Sequence, residues 1–151
     1  MNAEGDDWKR KLKALGLGRR RHSPGTAPAG PRDLRRVEAG RAGEDAAAAL
    51  LSEGGLHVLA RNVRYRNGEL DLVAEDGSVL VFVEVRRRRS GERGTAAESV
   101  TASKRARVVR AARRWLVENP RFASREIRFD VVALQDQPVS LEWIRGAFDA
   151  L

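Results

Sequence analysis

Carboxylates stand in this chain where strands are normally apolar. The segments Gly68-Glu69-Leu70-Asp71-Leu72-Val73-Ala74 and Val79-Leu80-Val81-Phe82-Val83-Glu84-Val85-Arg86 flank a short link, Glu75-Asp76-Gly77-Ser78. Asp and Glu are poor strand residues, so they sit here either because one sheet face is wet or because they have a task. A task suited to two neighbouring carboxylates is to hold one divalent ion. Directly behind Glu84 come Arg86, Arg87, Arg88, Arg89 and Arg93. Anionic groups for a cation beside cations for an anion fit a phosphodiester better than a simple solvated edge.

The elements that position these groups follow from the link. Asp76-Gly77 is a dipeptide that two-residue type I′ hairpin loops prefer, which predicts Leu72 opposite Val81, Asp71 opposite Phe82 and Glu69 opposite Glu84. Strand side chains alternate between faces. One face then carries Leu70, Leu72, Ala74, Val79, Val81, Val83 and Val85, and the other mixes Val73, Leu80 and Phe82 with Glu69, Asp71, Glu84 and Arg86. In this register Asp71 and Glu84 are diagonal neighbours within reach of one ion. Glu69 and Glu84 repel unless a cation lies between them, so the register predicts positive charge at that spot.

A helix is expected from about Glu38 to Ser52, stopped by Gly54-Gly55, and a strand from Leu56 to Tyr65. After the acidic hairpin, Gly91 to about Thr101 reads as a loop. Lys104 to Glu118 reads as a second helix, with Val108, Ala112, Trp115 and Leu116 on one face and Lys104 in the first turn; Asn119-Pro120 ends it. Glu126 to Leu134 and Val139 to Ile144 read as strands. The order helix, three strands, helix, strand, strand predicts an α/β fold, a mixed sheet flanked by helices.

Composition narrows the chemistry. Of 151 residues, none is cysteine and two are histidine, which removes disulfides, thiolate zinc sites, iron–sulfur clusters and cysteine nucleophiles. Oxygen ligands remain, and they favour magnesium or manganese. The net charge of +8 is uneven: residues 1–37 hold ten Lys or Arg against four acids, and residues 86–114 hold eleven against two. Such polarity is the footprint of a nucleic-acid binder. With no long apolar run and no signal-like N-terminus, the expectation is a cytoplasmic protein without a membrane partner. Residues 1–36, with Trp8, Leu12 and Leu15 among basic residues and then Pro24, Pro28 and Pro31, read as a basic, mostly disordered arm. Residues 37–151 form the domain.

Taken in order, Gly40-x-x-Gly43-Glu44-x-Ala46, Leu59-x-Arg61-Asn62-x-Arg64, Gly68-Glu69-Leu70-Asp71-Leu72-Val73, Leu80 to Arg86 with Arg88, Glu98-Ser99-Val100 with Lys104, and Arg128-Phe129-Asp130-Val131-Val132 resemble the bacterial YraN family. That family looks like a member of the PD-(D/E)XK nuclease superfamily, with a restriction-endonuclease-like fold and kinship to Holliday-junction resolvases. The resemblance implies that Asp71 is the motif aspartate, Glu84 the motif glutamate and Glu44 the first-helix acid. It implies a Mg²⁺ or Mn²⁺ site built from Asp71, Glu84, the Val85 carbonyl and Glu44. The third position of the Glu-Val-Lys pattern departs from it: Arg86 stands where lysine is usual. Arginine stays protonated and cannot accept a proton, although it can stabilise charge on phosphoryl oxygens.

The expectation is therefore a magnesium-dependent endonuclease-like protein acting on DNA, structured or branched, with Asp71, Glu84, Arg86 and Glu44 at the reaction centre. Arg87, Arg88, Arg89, Arg93, Lys104, Arg107, Arg110 and Arg114 are expected to grip phosphates, against the alternative of a solvated basic face. His57 is expected to be a packing or surface residue, and Asp130 a structural acid near a strand end. Two other classes stay open: a non-catalytic nucleic-acid-binding protein that keeps the fold, and an interaction module that recruits an acidic partner through the arm. A homodimer is also left open.

Overall fold

Three backbone hydrogen bonds and one left-handed glycine close the first helix. In the computed structural model, which describes residues 31–136 and 138–150, helix α1 spans Pro31–Glu53. It begins ahead of the expected Glu38, on a proline whose missing N–H is no loss in a first turn. At its end Gly54 N–H donates to Leu50 O at 3.0 Å, Gly55 N–H to Ser52 O at 3.1 Å and Leu56 N–H to Leu51 O at 3.0 Å. Gly55 has φ +91°. This is a Schellman ending, sealed by contact between buried Leu51 and Leu56. The basic arm lies outside the described residues up to residue 30.

Five strands follow: β1 (His57–Tyr65), β2 (Gly68–Asp76), β3 (Val79–Arg88), β4 (Ile127–Asp136) and β5 (Val139–Phe148). They form one sheet in sequence order. β3 and β4 are parallel, while the other neighbours are antiparallel. A parallel pair needs a crossover, and helix α2 (Ala102–Glu118), followed by a short 3₁₀ turn at Pro120–Phe122, provides it. The expected order of helix, three strands, helix and two strands is the order found. No helix among the described residues is long and apolar enough to cross a membrane.

The sheet is covered on both faces. Ala47, Ala48 and Leu51 of α1 pack with Leu72, Ala74, Val81, Val83 and Val132. On the other side Val108, Val109, Ala111, Ala112 and Trp115 of α2 pack with Val73, Leu80, Phe82, Phe129 and Val131. Leu70 departs from its expected face and joins the α2 side, so the period of two breaks around Asp71.

The hairpin register also differs from expectation. The loop is Gly77-Ser78, not Asp76-Gly77: Asp76 pairs with Val79, Ala74 with Val81 and Leu72 with Val83. Gly77 has φ +58°, and Ser78 is not among the positive-φ residues. Glycine alone at the first loop position is the type II′ signature. Sliding the pairing by two residues does not by itself turn a side chain to the other face, but it brings Glu84 level with Asp71 instead of Glu69.

Candidate metal and nucleic-acid site

Asp71 and Glu84 occupy the step just beyond the Leu72–Val83 pair, on the side covered by α2. Val85 N–H donates to Asp71 Oδ2 at 2.8 Å, which locks the aspartate across the two strands. The two carboxyls lie within interaction range of each other. Burial pushes the Glu84 carboxyl up to about 8, with the Asp71 charge adding to it and Lys104 opposing. Asp71 is raised as well, chiefly by burial, against the Val85 hydrogen bond. Glu84 is only 7% exposed, and its Oε2 is buried without a hydrogen-bond partner.

The cation expected between Glu69 and Glu84 is Lys104. Its Nζ lies 3.1 Å from Glu69 Oε1 and 3.6 Å from Glu84 Oε1. Local sequence places it there: Thr101 caps α2 by accepting from Lys104 N–H at 3.2 Å, so the first turn is anchored at the lysine itself. Burial works to lower the Lys104 pKa, but Glu84, Glu69 and Asp71 together outweigh it and hold the ammonium above the ordinary lysine range.

Arg86 points elsewhere. Its Nη2 meets Glu92 Oε1 at 3.1 Å. Arg88 turns back into the following loop, donating to the carbonyls of Glu92 at 2.9 Å and Gly94 at 2.8 Å. Arg87 is exposed but partnered, and Arg89 and Arg93 are exposed. Arg114 pairs with Glu118 at 2.9 Å. Glu44, half-buried on α1, is close enough for its charge to raise the Asp71 pKa. It does not complete a cage: among the described residues no three or more Asp, Glu or His converge as a metal-holding group.

Arg107 and Arg110 line an open cleft of about 740 Å³ with Lys104 and Glu69. The opposite wall is the β1–β2 turn, Arg64, Tyr65, Arg66, Asn67 and Gly68, a segment that the sequence pattern reads only as strand and link. The signal was present in the alternation of Arg64 and Arg66 before Asn67-Gly68. What was not legible was the helix facing it. Tyr65 donates to Glu118 Oε2 at 2.9 Å; its hydroxyl is raised well above the usual tyrosine range, first by burial and then by that bond.

Asp130 is structural, and it lies within β4 rather than at its end. Fully buried, it accepts from Arg128 Nε at 2.8 Å and Nη2 at 3.0 Å, Trp143 Nε1 at 3.0 Å and Gly146 N–H at 3.0 Å. It sits where the β4–β5 register shifts, between Phe129 and Val131. His57 is exposed.

Comparison with known proteins gives a match over residues 43–134 to a family described as "Uncharacterised protein family UPF0102". A UPF0102 protein of Xanthomonas campestris is 49% identical over 113 residues, covering 75% of this chain and 93% of the relative. One from Frankia casuarinae is 51% identical over 112 residues, covering 72% and 94%. A Salmonella newport relative named UPF0102 protein YraN is 48% identical over 119 residues, covering 78% and 89%.

Proposed function

The chain belongs to the uncharacterised family UPF0102, and for this member of it we propose a metal-dependent, nuclease-like function on nucleic acid, with DNA preferred and Mg²⁺ or Mn²⁺ as cofactor. The observation that carries this reading is the Asp71–Glu84 pair: two buried carboxyls that crowd each other, one with an orphaned oxygen. A group of this kind is under-coordinated, and hard oxygen donors suit a magnesium-sized ion, which takes one or two carboxylates and completes its shell with water and substrate phosphate.

Asp71 and Glu84 would hold the ion, with the Val85 carbonyl, and Glu44 would add a ligand through water. When bound, the metal supplies Lewis acidity toward a phosphoryl oxygen and a lowered pKa for its water. The remaining work falls to the chain. Val85 N–H orients Asp71, α2 covers the pair, and Lys104 keeps a positive charge beside it. The restriction-endonuclease-like arrangement implied by the sequence resemblance agrees with the mixed sheet between two helices.

A second reading, a nucleic-acid-binding protein that keeps the fold without cleavage, is favoured by one feature: Arg86 faces Glu92 rather than the carboxylate pair. A single set of measurements separates the two. Titration calorimetry should show Mg²⁺ or Mn²⁺ binding with proton release, lost in Asp71→Asn, which can still accept the Val85 hydrogen bond. Linear, nicked, flapped and four-way DNA should be screened for cleavage with either metal. Metal binding and cleavage that both vanish in the variant support the enzyme. Tight DNA binding with neither metal uptake nor cleavage in the wild type replaces it with the binding module.

A further inference from the structure

Resting on the nucleic-acid reading above, we infer that one phosphodiester backbone lies in the cleft between the β1–β2 turn and α2, held by Arg66, Arg107 and Arg110 and led past Lys104 to the Asp71–Glu84 pair. The arginine run at the end of β3 is not the main grip.

Three observations carry this. The first is continuity: Lys104 lines the cleft and also lies 3.6 Å from Glu84 Oε1, so the basic surface and the carboxylate pair meet at one side chain. The second is availability. Arg66, Arg107 and Arg110 are exposed and form no ion pair among the described residues. Arg86 and Arg88 are instead held by Glu92 and by loop carbonyls, and the Arg88 side chain is only 13% exposed. Those two arginines shape the loop that follows β3 and have few donors left for a ligand.

The third is rigidity. Gly68 sits against α2 so closely that a Cβ there would run into the Arg107 carbonyl. The two walls are therefore in backbone contact at the floor of the cleft, and the backbone positions from which their cations project are fixed before any ligand arrives. A groove of rigid walls carrying unpaired guanidinium groups matches a repeating anion, because each phosphate it neutralises releases condensed counterions. It also holds register without reading bases, which leaves substrate preference to the shape of the nucleic acid.

The test is binding in chelator, where no cleavage intrudes, with fluorescein-labelled four-way and linear DNA and the full chain. The triple variant Arg66→Ala, Arg107→Ala, Arg110→Ala should bind at least roughly tenfold more weakly at moderate salt, and the slope of log K against log salt should fall by about two to three. Arg89→Ala with Arg93→Ala, both exposed, serves as the comparison and should change affinity by less than the triple variant. Circular dichroism confirms that each variant is folded. A triple variant that binds like wild type, or a larger loss from the Arg89 and Arg93 pair, overturns the cleft assignment and leaves the function standing. A wild type that binds no DNA overturns both.

Discussion

Lys104 Nζ stands 3.6 Å from Glu84 Oε1, although nineteen residues of strand end, loop and helix start separate them in the chain. The contact joins a helix N-terminus to the middle of a central strand, and it places the one lysine of residues 37–151 beside the most strongly perturbed carboxyl. It also explains how Glu69, Asp71 and Glu84 coexist. A single ammonium, anchored by the Thr101 cap, offsets part of their mutual repulsion.

It does not offset all of it, and the remainder sets a pH dependence. Folded Glu84 keeps its proton up to about 8, against an ordinary glutamate value of 4.5. Between these values the folded state binds more protons than the unfolded state, so stability falls as pH rises. The contribution is fully present below about 4.5 and is lost above about 8, on the order of a few kcal/mol across the window. Glu84→Gln removes the titration. In chelator, urea denaturation should find the variant gaining on wild type as pH rises from about 5 to about 9. A constant difference across that range would show that Glu84 titrates normally.

Gly68 is required by contact, not by its own backbone angle. A side chain there meets the carbonyl of Arg107 and the Ala111 methyl, and backbone does not give way as a flexible side chain does. Gly68→Ala should destabilise the fold by about 1–3 kcal/mol, the usual cost of overpacking. The midpoint of urea unfolding reports this directly. An unchanged midpoint would mean that the turn lifts off α2 freely and that the cleft has no fixed floor.

Asp130 is the structural counterpart of the candidate site, a buried charge with every donor in place. Four contacts converge on it from Arg128, Trp143 and Gly146. Asp130→Ala leaves the Arg128 guanidinium with Asp76 alone as a close partner, and strands the Trp143 and Gly146 N–H groups. The expected loss is about 3–5 kcal/mol, the scale for breaking a buried pair on one side. Denaturant unfolding checks it; a loss below about 1 kcal/mol would place Asp130 among weakly coupled polar groups.

Taken by itself, the chain determined its elements. The apolar period, the glycines after α1 and Asn119-Pro120 after α2 act over a few residues, so the C-terminal ends of the helices, the order of the elements and the acidic hairpin were legible, as were Asp71 and Glu84 on one face. The loop position within the hairpin was not. Asp76-Gly77 and Gly77-Ser78 are both acceptable two-residue turns, and only the packing of Leu72, Ala74, Val81 and Val83 under α1 selects between registers that leave the faces unchanged. The partners of the charged groups were equally out of reach. A lysine or arginine side chain is long and can turn toward any acid nearby, so the sequence places Arg86 at the reaction centre, to face the phosphoryl oxygens, and leaves Lys104 to flanking phosphate. The parallel crossover reversed their positions. By carrying α2 back over β2 and β3, it set Lys104 against Glu84, closed the β1–β2 turn onto Arg107, and left Arg86 to Glu92.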